Sequence, residues 1–280
     1  LLKQRIATAL ILAPIALAAI FLLPTFSFAL ALGGVVLLAA REWARIVAPD
    51  NGSRVLSFAS FTLVLSASVW LIPLSGFAAN PWFVAILSAG LLWWLGSVLL
   101  MRGYPDSAKR WKDMRWFKLV AGLLVLLPFY WSMLYLRDLD PDNHINGGIW
   151  VCYVLALVWA ADSGAYFAGK RFGKHKLAPN VSPKKTIEGL LGGLLVAGLV
   201  NVVALLYLDL AGDKVALFSL ASALTVIASV IGDLVESMFK RQAGIKDSGS
   251  LLPGHGGLLD RIDSLTAAMP VFAFCYVMWM

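Results

Sequence analysis

Charge is scarce in this chain of 280 residues: Lys, Arg, Asp and Glu make up 14% of it, against 60% for the apolar residues. A soluble domain carries about 25% charged and about 45–50% apolar residues. Both departures exclude an ordinary soluble domain and intrinsic disorder, and the mean hydropathy of +0.81 places the chain in lipid. Cysteine occurs only twice. Cys152 and Cys275 stand inside apolar stretches and form no metal-ligand or redox spacing, which excludes a disulfide-stapled secreted fold and leaves both as packing residues. Acids are also few, sixteen against 23 Lys and Arg. On so apolar a chain, the excess positive charge marks the inner loops of a membrane protein rather than a nucleic-acid surface. Repeats of solenoid period and low-complexity tracts are missing as well.

What is abundant is long apolar runs. About 20 mainly apolar residues cross a bilayer core, and nine runs approach that length: 6–23, 26–40, 55–74, 82–101, 119–136, 149–168, 187–208, 215–236 and 265–279. Lys3 and Arg5 ahead of the first run resemble a signal peptide, but the run is long and no Ala-x-Ala-like site follows it closely. It is read as a retained span. Pro24 and Thr25 alone separate the first two runs, which predicts a tight helical hairpin.

With the N-terminus in the cytoplasm, 21 of the 23 Lys and Arg fall on the cytoplasmic side and only Arg137 and Lys214 fall outside, as the positive-inside rule requires. Asp138, Asp140, Asp142, Asp209 and Asp213 then lie in outer loops, and Met280 ends outside. The expected fold is all-α and polytopic, a single membrane-embedded domain over 1–280. Residues 1–136 supply apolar spans, and 149–280 carry the polar motifs.

An ionisable side chain at membrane depth is costly, about 2.5–3.5 kcal/mol for Asp at a helix centre, so it is a functional candidate by default. Asp162 lies past the middle of the sixth span; its plain alternative is an aspartate near a helix end paired with a loop lysine. Asp233 and Glu236 are three apart and share one helical face at the inner end of the eighth span, a pair suited to a hard cation. Between spans six and seven, Ser182-Pro183-Lys184-Lys185-Thr186 predicts a helix capped by Ser182 with Pro183 in its first turn, a place where free N–H groups and lysines favour phosphate. The loop Arg102 to Lys118, with Trp111 and Trp116 among six cations, is either an interfacial helix that attracts anionic lipid or an ordinary inner loop with aromatic anchors.

The densest segment is 237–263. It gathers Lys240, Arg241, Lys246, Asp247, His255, the pair Gly256-Gly257, Asp260, Arg261 and Asp263. Asp260 and Asp263 are three apart and can meet Asp233 and Glu236 across two helix ends. Carboxylates for Mg²⁺, cations for phosphate oxygens and glycines for close backbone approach together specify polyphosphate chemistry. For His255, a structural hydrogen bond and a catalytic role both fit.

This segment resembles, without gap or substitution at the fixed positions, the motif Ser-x-x-Lys-Arg-x4-Lys-Asp-x-Gly-x2-Leu-Pro-x-His-Gly-Gly-x2-Asp-Arg-x-Asp of the CDP-diacylglycerol synthases, or phosphatidate cytidylyltransferases. Asp162-Ser163-Gly164-Ala165-Tyr166, the run 173–179 and Val181 to Thr186 are similar to the bacterial members too, as is the span count; the first five spans are similar only in general character. The resemblance implies transfer of cytidylyl from CTP to phosphatidate, an Mg²⁺ requirement, a K⁺ ion beside the Mg²⁺, a homodimer and residence in the bacterial inner membrane. It implies metal ligation by Asp233 and Asp260, with Asp263 and Glu236 as further candidates. Catalytic roles would fall to Asp233, Asp260, Lys246 and His255, and nucleotide or metal binding to Lys185, Ser182, Lys240, Arg241 and Asp162. Two rivals are weaker. A cation-coupled transporter would place its acids near the midplane with internal symmetry, and a CDP-alcohol transferase would carry an Asp-Gly-x2-Ala-Arg-type motif, which this sequence lacks.

Overall fold

The structure is a computed structural model that describes residues 2–140, 144–208, 210, 212–252, 254 and 256–279. Its helices are α1 (Leu2–Leu22), α2 (Thr25–Val47), α3 (Asn51–Leu71), α4 (Pro81–Arg102), the short α5 (Ala108–Trp111), α6 (Arg115–Arg137), α7 (His144–Phe172), α8 (Ile187–Leu208), α9 (Asp213–Gln242) and α10 (Leu259–Trp279). Among the described residues eight helices, α2 to α4 and α6 to α10, are long and apolar enough to cross a membrane. The chain is a polytopic, helical membrane protein. Each run expected to span falls on a helix, and the described apolar part of α1, Leu10–Leu22, is shorter than the other eight.

Local signals set several helix ends. Asp50 caps α3 by accepting from Ser53 N–H at 2.8 Å, and Asn80 caps α4 by accepting from Trp82 and Phe83, with Pro81 in the first turn where a missing N–H costs nothing. The Ser53 N–H, together with Arg115 across the loop, holds the Asp50 carboxyl below its ordinary value.

Helix α6 is the hub. From Val125 to Arg137 every side chain is buried, because α6 is flanked by α2, α4, α7 and α10 and is apolar all round, as a core helix must be. Its Trp131 and Tyr135 make tilted and edge-on ring contacts with Phe77 and Phe83, ahead of and within α4. Gly90 of α4 makes room for the ring of Pro128, since a Cβ there would come within 2.6 Å of it. Helices α7 and α8 pack closest: a Cβ on Gly192 would lie 2.2 Å from that of Ala168, and one on Gly164 2.6 Å from the Gly192 carbonyl. Without a hydrophobic force between helices in lipid, such small-residue seams let dispersion contacts hold a pair together.

At the end expected to face outward, Arg137 is 1% exposed. Its guanidinium donates to the carbonyls of Ile20 (2.8 Å) and Leu23 and to Thr25 Oγ1, and it lies 4.7 Å from the Phe28 ring. It satisfies the free carbonyls at the end of α1 and locks the turn into α2. The expected outer-loop residues Asp142 and Asp209 lie outside the described residues.

The opposite end joins the segments richest in cations. Trp43 Nε1 of α2 donates to the Lys118 carbonyl (2.8 Å), Asn180 Nδ2 to the Tyr104 carbonyl (3.1 Å), and Arg45 to the Ser248 carbonyl (3.4 Å). The Arg102 to Lys118 segment is anchored here by Trp111, 3% exposed with its ring 4.8 Å from that of Phe239, while Trp116 faces outward at 65% exposure.

Candidate functional site

The link between α7 and α8 corrects the expected helix start at Ser182. Lys176–Ala178 (β1) and Ser182–Thr186 (β2) form an antiparallel hairpin, pairing Lys176 with Thr186 and Ala178 with Ser182. Pro179 and Asn180 are the central residues of a turn closed by Val181 N–H to the Ala178 carbonyl at 3.2 Å, and that turn chemistry prevails over the Ser-Pro cap signal. The cap of α8 is Thr186 instead, whose Oγ1 accepts from Gly189 N–H at 3.1 Å. Lys184 and Lys185 therefore stand on a strand, not in a helical first turn, and Ser182 sits half-buried at its start. Glu188 steadies the hairpin by accepting from the backbone of Lys174 and His175 and from the His175 ring at 2.6 Å.

The strand carries Lys185 to α9, where its Nζ meets Asp233 Oδ2 at 2.7 Å. Asp162 of α7 lies within electrostatic reach of both. Asp233 in turn faces Asp263, since α9 and α10 approach so closely at Gly232 that a Cβ there would fall 2.6 Å from the Asp263 carbonyl. One turn on, Glu236 is 4% exposed and its carboxylate has no hydrogen bond; its contact is the ion pair with Lys240 Nζ at 3.0 Å. Lys240 completes the line by donating to Asp260 Oδ1 at 2.6 Å.

Seven expected residues thus come together: Asp162, Lys185, Asp233, Glu236, Lys240, Asp260 and Asp263. Their formal balance is five carboxylates against two ammonium groups. Such a surplus under partial burial is relieved by further positive charge or by taking up protons. Lys240, expected at phosphate, is instead committed to two carboxylates, its side chain 7% exposed. Asp260 is fully engaged too: besides Lys240, it accepts from Ser248 N–H (2.9 Å) and Gly257 N–H (2.8 Å). It organises the loop between α9 and α10, and Gly256, at φ of +80°, has no room for a Cβ beside it. Asp233 holds Lys185 and accepts from Ser237 Oγ (3.3 Å), and Asp263 accepts from Ser264 N–H (2.8 Å), so both carry fewer partners than Asp260. Arg241 and Lys246 are exposed, Arg241 donating to the Ile245 carbonyl at 3.2 Å. His255 lies outside the described residues.

Depth matters. Helices α7 and α9 run 29 and 30 residues, about ten more than a bilayer core needs. Asp162 and Asp233 lie about ten residues, or about 15 Å, before the ends of their helices. Both acids therefore lie past the midpoints of their helices, on the side that leads into the hairpin and the α9–α10 loop.

One contributor was not expected. Glu42 of α2 is 4% exposed and accepts from Ser248 Oγ (2.9 Å), Leu258 N–H (3.1 Å) and Leu259 N–H (2.8 Å). It is the only acid among the first 49 residues, and that isolation was the available signal.

The cytidylyltransferase family profile matches residues 3–279. The chain belongs to the cytidylyltransferase family. A phosphatidate cytidylyltransferase of Pseudomonas aeruginosa is 46% identical over 274 residues, covering 98% of this chain and 96% of the relative. One of Haemophilus influenzae is 43% identical, covering 99% of each, and one of Staphylococcus aureus is 34% identical, covering 91% and 95%. Membership extends over the N-terminal helices as well, which the motif likeness alone did not reach.

Proposed function

We propose that this cytidylyltransferase-family protein transfers the cytidylyl group of CTP to phosphatidate, yielding CDP-diacylglycerol and pyrophosphate at the inner surface of a bacterial cytoplasmic membrane. The observation that carries the reading is near-full-length identity to phosphatidate cytidylyltransferases in a chain whose motif residues converge on one carboxylate-rich site. The charge asymmetry of the loops supports a cytoplasmic site, where CTP is available.

A phosphatidate phosphate oxygen is already nucleophilic at neutral pH. It forms a bond to the α-phosphorus of CTP, the bond from that phosphorus to the bridging oxygen breaks, and pyrophosphate leaves with the electron pair. No covalent enzyme intermediate is needed, so the protein's work is to bring two polyanions into line and offset their repulsion.

The residues fit a divalent cation. Glu236 is buried with the Lys240 ammonium as its ion-pair partner, and the line of acids exceeds its lysines. Among the described residues no three Asp, Glu, His or Cys are arranged to hold a metal ion by themselves. Mg²⁺ characteristically takes one or two carboxylates and completes its shell with water and substrate phosphates. Asp233 and Asp263 would hold it, with Glu236 and Asp162 adding negative charge behind them. When bound, Mg²⁺ supplies charge neutralisation at the CTP phosphates. Lys185 moves between Asp233 and a phosphate oxygen, while the exposed Arg241 and Lys246 attract the pyrophosphate portion. Asp260 and Lys240 keep the loop and the first turn of α10 in place.

The test is direct: purified protein in detergent with phosphatidate, labelled CTP and Mg²⁺ yields lipid-soluble label and equimolar pyrophosphate. Absence of both from folded protein refutes the reaction.

A further inference from the structure

The N-terminal helices do more for the site than surround it with apolar surface. Glu42 stands on α2, 206 to 217 residues before its three donors. Two of those donors are the N–H groups of Leu258, just ahead of α10, and of Leu259, its first residue, where backbone donors have no partner within the helix. The third, Ser248 Oγ, comes from the loop whose backbone N–H is held by Asp260. Two glycines allow the loop to close over the carboxylate: a Cβ on Gly249 would fall 2.3 Å from Glu42 Oε1, and one on Gly257 2.4 Å from Oε2. One turn along α2, Arg45 donates to the Ser248 carbonyl at 3.4 Å.

We infer that Glu42 is a positioning residue for the reaction: from α2 it caps α10 and fixes the height at which Asp263 faces Asp233. This rests on the reading of Asp233 and Asp263 as the metal-holding pair. Glu42 touches neither of them. Its effect passes through Leu258, Leu259 and the Ser248–Asp260 bond, so loss of the tether leaves the reacting groups present but misplaced. Removing a comparable outer-shell partner lowers metal affinity or activity by about 10- to 100-fold.

Two measurements on the full chain in detergent test this. Glu42→Gln keeps the shape but replaces one of the two acceptor oxygens by a donor. It is expected to lower kcat by about 10- to 100-fold, to raise the Mg²⁺ concentration giving half-maximal rate, and to speed hydrogen exchange in the peptide spanning 248–259. Glu42→Asp is expected to recover part of the rate lost in Glu42→Ala. Should Glu42→Gln not fold, Gly249→Ala and Ser248→Ala approach the same contact from the loop. Ser248→Ala and Gly249→Ala then each lower kcat and speed exchange over 248–259, and wild-type rate and exchange in both overturn the inference. Arg41→Gln, exposed one residue away, keeps wild-type rate and exchange.

A Glu42→Gln protein with kcat within twofold of wild type overturns the inference, and so does a fall in kcat with unchanged exchange. An inactive wild type refutes the proposed reaction instead, and the exchange comparison then decides the tether alone.

Discussion

Replacing Lys240 by Met isolates what the buried charge line contributes to stability. The Lys240 ammonium lies 3.0 Å from Glu236 and 2.6 Å from Asp260, and the three side chains are 7%, 4% and 6% exposed. At an effective dielectric near 20, one opposite charge at about 3 Å contributes about 5 kcal/mol of attraction, and the two contacts together offset the cost of desolvating the ammonium. Methionine matches the stem in volume but leaves two buried carboxylates facing each other. Removing one member of a buried pair costs about 3–5 kcal/mol, or about two to three and a half powers of ten in the folded-to-unfolded ratio. The assay is the fraction of detergent-solubilised protein that stays monodisperse after heating, followed by size exclusion. Lys240→Met should aggregate at temperatures that wild type and Arg241→Gln both survive, because Arg241 is exposed and bonds a single carbonyl. The double substitution Glu236→Leu with Lys240→Met should regain part of the loss, since apolar residues of similar volume can replace a buried pair at little cost. If Lys240→Met withstands heating as well as wild type, the ion pairs do not hold this end of α9 to α10.

Asp233→Asn and Asp260→Asn should separate chemistry from architecture. Both abolish pyrophosphate release, but only Asp260→Asn also lowers heat resistance, because Asp260 anchors Lys240, Ser248 and Gly257; equal heat resistance in the two would contradict that division. Arg137→Ala should cost about 3 kcal/mol or more by leaving α1 carbonyls unpaired in a buried setting, read as faster proteolysis near residues 22–25. Gly192→Val should disrupt the α7–α8 seam, where even a Cβ would lie 2.2 Å from Ala168, and cost at least the 1–3 kcal/mol typical of overpacking. Gly198→Ala on the same helix has nothing within 4 Å and should match wild type in the same heating assay.

The spans were legible because length and apolarity are properties of a run, and every expected run lies on a helix. The acids of the site were legible for a similar reason: Asp162, Asp233, Glu236 and Asp263 interrupt apolar helices, and the three-residue spacing puts partners on one face. Their partners were not. Lys185 and Lys240 have the residue type that binds phosphate, yet each ends against a carboxylate, and only the approach of α9 to α10 and the path of the hairpin decide that. The Ser182 cap failed because two local signals competed four residues apart, and the Pro179-Asn180 turn formed the hairpin. Glu42 lay between Arg41 and Trp43 at the end of an apolar run, where a charge ordinarily faces the membrane surface; its burial depends on a loop more than 200 residues away.

That separation also has a consequence for biogenesis. Glu42 leaves the ribosome 217 residues ahead of Leu259, and at about 5–20 residues per second its last hydrogen-bond donor follows roughly 10 to 40 s later. Throughout that interval α2 holds a carboxylate that has no permanent partner, so it stays near the membrane surface, where water serves it. Helix α10 is therefore the one that draws the early acid into the interior, and the site assembles only once α10 has joined α2.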